Sequence, residues 1–254
     1  MQKKAFFVHI PKTAGNTVRK ILRRSNINLL SNPGFEKSER THHFGIKSAK
    51  RVIGSHLSFT TDAFDCYVEK DAYKNSHCSF TIIRNPFDLL VSYYSHFIDS
   101  SSKKNWIDRG WANVNGYHNF KNFESFIDGY CNIDPEEWHV PELSKNLFGQ
   151  IFDESCNSCV NYAIYFEDLH KGIKNFICDK LDYQGKKINM VHTKFNVSKN
   201  RKNRDYKEFY NEKMKKMIDL KCEWELDTFG YSYKTNKKEE INSYISIDCI
   251  KNKK

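Results

Sequence analysis

"VHIPKTAGNTVRKIL", residues 8–22, changes character twice within fifteen positions. An apolar run covering residues 5–10 reads as a buried strand that Pro11 stops, and residues 17–24 read as a helix with Val18, Ile21 and Leu22 on one side. Between them stands the turn Lys12-Thr13-Ala14-Gly15-Asn16. A strand feeding a helix through such a turn aims backbone N–H groups, and the positive end of the helix dipole, at a bound anion. Gly15 is the residue expected to let the backbone turn tightly and approach a ligand. Thr13, Asn16 and Thr17 offer short polar side chains to anion oxygens or to the helix cap, and Lys12 adds a point charge. The order differs from a nucleotide-hydrolysing P-loop, where lysine follows the glycines and an acidic strand end holds magnesium. The plainer alternative is a strand–helix turn with a surface lysine.

Outward from this stretch, strands and helices alternate. Val52 and Ile53 suggest a second strand, residues 79–83 a third and "YAIYF" a fourth. "FDLLVSYYSHFI" follows Pro86, a residue suited to open a helix, and residues 123–130, 142–152 and 167–181 read as further helices. A polar basic loop covers 184–204. A long amphipathic helix is expected from Tyr206, with Tyr206, Tyr210, Met214, Met217 and Ile218 on its apolar face. The rhythm predicts an α/β fold with a central, mostly parallel sheet flanked by helices. The expected organisation is one domain over residues 1–235, an insertion over 99–150, and a Lys/Asn-rich tail over 236–254.

A chain of 254 residues with 39% hydrophobic residues can bury a sizeable core. Its 41 Lys and Arg exceed 31 Asp and Glu, giving a net charge of +10 that favours anionic partners, although part of this excess is solvated surface lysine. No RNA-binding aromatic signature or helix-turn-helix pattern accompanies the charge, so nucleic acid is not the expected partner. The eight cysteines are scattered in a chain too large to need disulfides, which points to a reducing compartment. "CNSC" at 156–159 lacks a second pair to complete a zinc site, and the sequon at Asn196 means little without a secretion signal. Neither a leader nor a membrane span is recognisable, so the expected location is cytoplasmic.

A second constellation, "TIIRNPFDLLVSYYSHF", puts Arg84 at the end of a buried strand and Ser92 in the helix after it. An arginine fork plus a hydroxyl can grip a second phosphate, and the bland alternative is a helix-capping arginine with a packed serine.

Together, "PKTAGNT" and "RNPFDLLVSYY" resemble the nucleotide-binding signatures of the sulfotransferases that use 3′-phosphoadenosine 5′-phosphosulfate (PAPS). "AIYFEDL" and the segment "NVSKNRKNRDYKEFYNEKMKKMIDLKCEWELDTFGYSY" are similar to the late parts of the carbohydrate, glycosaminoglycan-type members. The resemblance implies a P-loop-like three-layer sandwich, with the insertion on the substrate side. It also implies sulfuryl transfer from PAPS to a hydroxyl of a carbohydrate or small molecule, leaving 3′,5′-phosphoadenosine (PAP), without a metal. Pro11, Lys12, Thr13, Ala14, Gly15, Asn16 and Thr17 would form the 5′-phosphosulfate loop, with Lys12 catalytic at the leaving oxygen. Arg84 and Ser92 would hold the 3′-phosphate. Within the basic loop, Lys199 and Arg201 are the candidates for a flap over the nucleotide, although the glycine that often stands there in the family is missing. In "VIGSHLSF", His56 resembles the family's base, and imidazole titrates in the range where it can accept a hydroxyl proton. His9, His42 and His43 are weaker candidates, and a carboxylate base stays open. Trp106, Trp111, Tyr117 and Trp138 could face sugar rings or pack in a core. The competing functions are a P-loop-type kinase, which would need magnesium and ATP, and a non-catalytic polyanion binder, whose affinity would fall steeply with salt. Acceptor identity and oligomeric state stay open.

Overall fold

The computed structural model describes residues 5–8, 10, 12–27, 46–48, 51–53, 78–102, 120–132, 160–183, 187–190, 201, 204–235 and 243–247. In chain order the elements are β1 (Ala5–Val8), α1 (Gly15–Arg24), β2 (Ile46–Ser48), β3 (Arg51–Ile53), β4 (Cys78–Ile83), α2 (Pro86–Ser102), α3 (Phe123–Asn132), β5 (Tyr162–Tyr165), α4 (Leu169–Lys180), α5 (Glu212–Lys221), α6 (Glu223–Phe229) and β6 (Tyr244–Ser246). The chain divides into two compact units: Met1–Arg84, Gly149–Phe195 and Glu240–Lys254 form the first, and Asn85–Phe148 with Asn196–Glu239 the second.

The first unit is built on a four-stranded sheet ordered β1-β4-β5-β6. β4 runs parallel to β1 and to β5, while β6 closes the sheet antiparallel to β5. A strand with parallel neighbours on both sides is expected to be buried on both faces, and all six residues of β4 are buried. Of its two polar members, Ser79 is accommodated by hydrogen bonding. The Ser79 hydroxyl donates to Asn161 Oδ1 at 2.7 Å and accepts from the Asn161 N–H at 2.9 Å, while Thr81 is fully enclosed. Alternation along the strands puts Phe7, Phe80, Ile82 and Ile164 on one face, where they share a core with Val18, Ile21 and Leu22 of α1 and Ile173, Phe176 and Ile177 of α4. Phe80 stacks on Phe7 at 4.9 Å and meets Phe176 at 4.6 Å between ring centroids. α4 lies so close to β5 that a Cβ on Gly172 would stand 2.5 Å from Ile164 Cγ2 and 2.7 Å from the Ser243 carbonyl oxygen.

The second unit is helical and aromatic. Asn85 precedes α2 as its cap: Oδ1 accepts from the Phe87 N–H at 3.0 Å, and Pro86 occupies the first helical position, where a missing N–H does no harm. The same Asn85 is fully buried, and its Nδ2 donates to the carbonyls of Ser232 and Thr235 at 3.0 and 3.3 Å. Phe87, Phe123 and Tyr210 meet edge to face at 5.2 and 5.0 Å, and the Tyr210 hydroxyl donates to the Phe87 carbonyl at 2.8 Å. Burial pushes the ionisation of Tyr130, Tyr210 and Cys222 well upward and that of Cys131 to about 11.

The α/β class and the P-loop-like arrangement hold, with three departures in detail. β3 covers the expected second strand but pairs antiparallel with β2 in a separate two-stranded sheet. The long helix expected from Tyr206 is broken. A 3₁₀ turn, Tyr206–Phe209, ends at Tyr210, and α5 starts afresh after Asn211, whose side chain accepts from the Met214 N–H at 2.9 Å. The buried positions Tyr206, Tyr210, Met214 and Ile218 match the expected face, because a 3₁₀ turn and a fresh cap preserve the spacing well enough. β6 lies within residues read as a tail, whereas α3 covers the helix expected over residues 123–130. The expected helix over 142–152, the CNSC pair and the three tryptophans Trp106, Trp111 and Trp138 lie outside the described residues.

Candidate active site

The turn between β1 and α1 has an unusual backbone. Lys12 and Ala14 both lie in the left-handed region, at φ of 61° and 64°, while Thr13 between them does not. Left-handed and ordinary residues in alternation curve successive N–H groups toward a common point, which is the geometry of an anion nest. Ala14 is the N-cap of α1 and has no side chain to cap with, and the N–H groups of Gly15 and Asn16 have no intrahelical carbonyl to reach. They are therefore available to an anion or to water. The sequence reading assigned the tight turn to Gly15. Instead Lys12 and Ala14 make it, and Gly15 is the buried first residue of α1.

Two side chains secure this loop. The Thr13 hydroxyl, fully buried, donates to the Ile10 carbonyl at 2.8 Å, so its proton closes the turn and its backbone is what remains for an anion. Arg84, 7% exposed, donates from Nη1 to the Lys12 carbonyl at 2.8 Å. Parallel pairing of Val8 with Thr81 explains this meeting, because the ends of β1 and β4 open at the same edge of the sheet. A left-handed residue other than glycine costs about 1–3 kcal/mol, and a hydrogen bond from a charged donor is worth about 1.5–3 kcal/mol. The two are comparable, so the arginine can hold the lysine in its strained conformation. The guanidinium also lies 4.2 Å from the centre of the Phe166 ring, in the 3₁₀ turn that follows β5.

Arg19 was not singled out in the sequence, yet one turn into α1 it donates to the Gly15 carbonyl at 3.3 Å and to Asn16 Oδ1. Burial, and secondarily Arg23, lower its pKa. Its i, i+3 and i, i+4 spacing from the loop was the available signal. Phe166 carried no such signal, since its meeting with Arg84 depends on β4 and β5 being neighbours.

Lys12, Thr13, Ala14, Gly15, Asn16, Thr17 and Arg84 thus come together at one edge of the first unit. Ser92, half-buried on α2, and Arg201 belong to the second unit. Arg201 is engaged there: Nε donates to the Arg204 carbonyl at 2.9 Å and Nη1 pairs with Asp88 Oδ1 at 2.6 Å. Pro11, His56 and Lys199 lie outside the described residues, as do His9, His42 and His43. Among the described residues no group of three or more His, Cys, Asp or Glu could hold a metal ion, and no helix is long and apolar enough to cross a membrane.

A lysine-bearing anion nest at the end of the first strand, braced by an arginine from the end of the neighbouring parallel strand, is suited to an anionic phosphate ester and the departure of its bridging oxygen. No curated protein and no solved structure matches the chain. The sulfotransferase family model matches residues 1–232, a span that includes the nest and its brace. The chain therefore belongs to the sulfotransferase family.

Proposed function

We propose that this enzyme sulfates a hydroxyl group of a carbohydrate or small-molecule acceptor, and that the loop from Pro11 to Thr17 takes the 5′ side of the donor. Family membership implies PAPS as that donor, which supplies an already activated sulfuryl group. The single observation carrying the residue assignment is the left-handed, arginine-braced backbone at Lys12, which forms a nest where an activated phosphosulfate would need one.

In this reading the backbone from Thr13 to Thr17 binds and orients the 5′-phosphate. Lys12 stabilises the charge that builds on the bridging oxygen as its bond to sulfur breaks. The acceptor oxygen forms the new bond to sulfur, and its proton passes to a base, His56 on the family resemblance or else a carboxylate. Arg84, Ser92, Lys199 and Arg201 are proposed for the 3′-phosphate and nucleotide on the same resemblance. The assignment to carbohydrate acceptors rests on the likeness of the late segments, "AIYFEDL" and the stretch from Asn196, to glycosaminoglycan-type members.

The test is a thermal-shift comparison of PAP against ATP with magnesium, followed by turnover of labelled PAPS on a panel of saccharides and phenols. Stabilisation by PAP at concentrations where ATP does nothing is the expected result. Preference for magnesium-ATP would remove the donor assignment, and turnover confined to phenols would remove the carbohydrate one.

A further inference from the structure

We infer that Phe166 is a positioning residue for donor binding, acting through Arg84 on the carbonyl of Lys12; the inference rests on the donor reading above. The topology brings the three groups together. β4 and β5 pair with Ile83 opposite Tyr165, so the next residues along, Arg84 and Phe166, leave the sheet side by side. Arg84 then reaches in the other direction to the loop that follows β1, where it meets the Lys12 carbonyl at 2.8 Å.

An arginine side chain has many rotamers, and each contact that fixes the guanidinium removes some of them. Phe166 supplies a flat surface for the guanidinium, 4.2 Å from ring centre to Cζ. The ring face attracts the cation above it, while the guanidinium still donates from Nη1 to the Lys12 carbonyl. The ring is itself anchored, since it packs against the first unit's core and follows a strand residue, Tyr165, whose N–H donates to the Ser243 carbonyl at 3.3 Å. Phe166 is thus a fixed support, Arg84 a strut, and the left-handed Lys12 the part held in place. An aliphatic residue of similar bulk would fill the space without attracting the cation, whereas tyrosine would keep the aromatic face.

The experiment compares Phe166→Leu and Phe166→Tyr in the full chain. Phe166→Leu should raise the dissociation constant for PAP about fivefold, and Phe166→Tyr should stay within about twofold of the unsubstituted protein. Unchanged PAP affinity in Phe166→Leu, or equal losses in both variants, overturns the positioning role. A second readout does not depend on the nucleotide. In arginine-labelled protein the Arg84 guanidinium resonance, identified by its loss in Arg84→Lys, should be shifted by the ring current, and the shift should vanish in Phe166→Leu and persist in Phe166→Tyr. A resonance that Phe166→Leu leaves in place overturns the stacked support itself. If the unsubstituted protein bound no PAP while the resonance behaved as expected, the donor reading and the positioning role built on it would fall together, and the stacked support alone would stand.

Discussion

The two units are held together by different means. The first encloses polar and charged groups around a strained turn: buried Thr13, Ser79, Thr81 and Arg84 each stand on or beside the strands that carry the loop, and Lys12 and Ala14 adopt backbone conformations that side chains disfavour. The second also encloses polar groups, Asn85, Ser95 and Glu225, but around rings and capped helices instead of a strained turn, with Phe87, Phe123, Tyr130, Tyr206 and Tyr210 buried and Asn85 capping α2. The contrast teaches where substitution should hurt. Backbone strain is tolerated where it shapes a binding surface, so damage in the first unit's loop should appear first in chemistry, and damage in the second unit should appear first in stability.

Lys12→Ala tests the contrast most severely. Sulfuryl transfer should fall on the order of a thousandfold while the melting temperature stays within a few degrees; turnover close to that of the unsubstituted enzyme would break the contrast at its centre. Arg84→Ala should weaken PAP about a hundredfold by calorimetric titration, because a charged donor to the loop is removed along with the proposed phosphate contact. Affinity within about threefold would show that the strut is dispensable. Asn85→Ala should cost about 2–4 kcal/mol in denaturant unfolding, since three hydrogen bonds end on that buried amide. PAP affinity in the surviving folded fraction should change little, and a loss of affinity larger than the loss of stability would reverse the assignment.

The gentlest probe is alkali. Burial raises the ionisation of Tyr130, Tyr210, Cys222 and Cys131 in the second unit, and of Tyr165 and Tyr244 in the first. The ordinary values are 9.0 for the thiols and 10.0 for the tyrosines, so above about pH 9 the unfolded chain holds fewer protons than the folded one. Stability contributed by the neutral groups is therefore complete below pH 9 and lost as pH rises through 9 to 11 and beyond. Trp224 stands on α6 of the second unit, its ring edge-on to Phe229 at 5.4 Å, so its emission reports that unit. Denaturation midpoints read from tryptophan emission should drop steadily from pH 9 to pH 11; a flat profile would remove the buried thiols and phenols as determinants.

Much of this was readable from the sequence because it depended on local pattern. The apolar run before Pro11, the spacing of Val18, Ile21 and Leu22, and proline placed to open α2 all report on neighbours a few residues away. β4 was legible for a related reason, being apolar enough on both faces to be a central strand. The parts that escaped depend on distant segments. Tyr244–Ser246 looks like solvated tail until β5 offers it an edge, and nothing in "SYISID" announces that partner. The break at Tyr210 escaped because its apolar spacing fits a continuous helix, and only the Asn211 cap reveals the restart. At the candidate site the loop's composition was visible but its hand was not. Lysine and alanine are poor guesses for left-handed positions beside an available glycine, and only the brace from a strand roughly seventy residues away makes that conformation tenable.

That conformation ties two properties to one residue. At position 12 the residue proposed to carry the catalytic charge also bears one of the loop's two left-handed angles. A library selected for heat resistance should collect glycine there, since glycine adopts that angle freely, and each such variant would be sturdier and inert. Selection for turnover should restore lysine along with its strain, so durability and activity pull this single position in opposite directions.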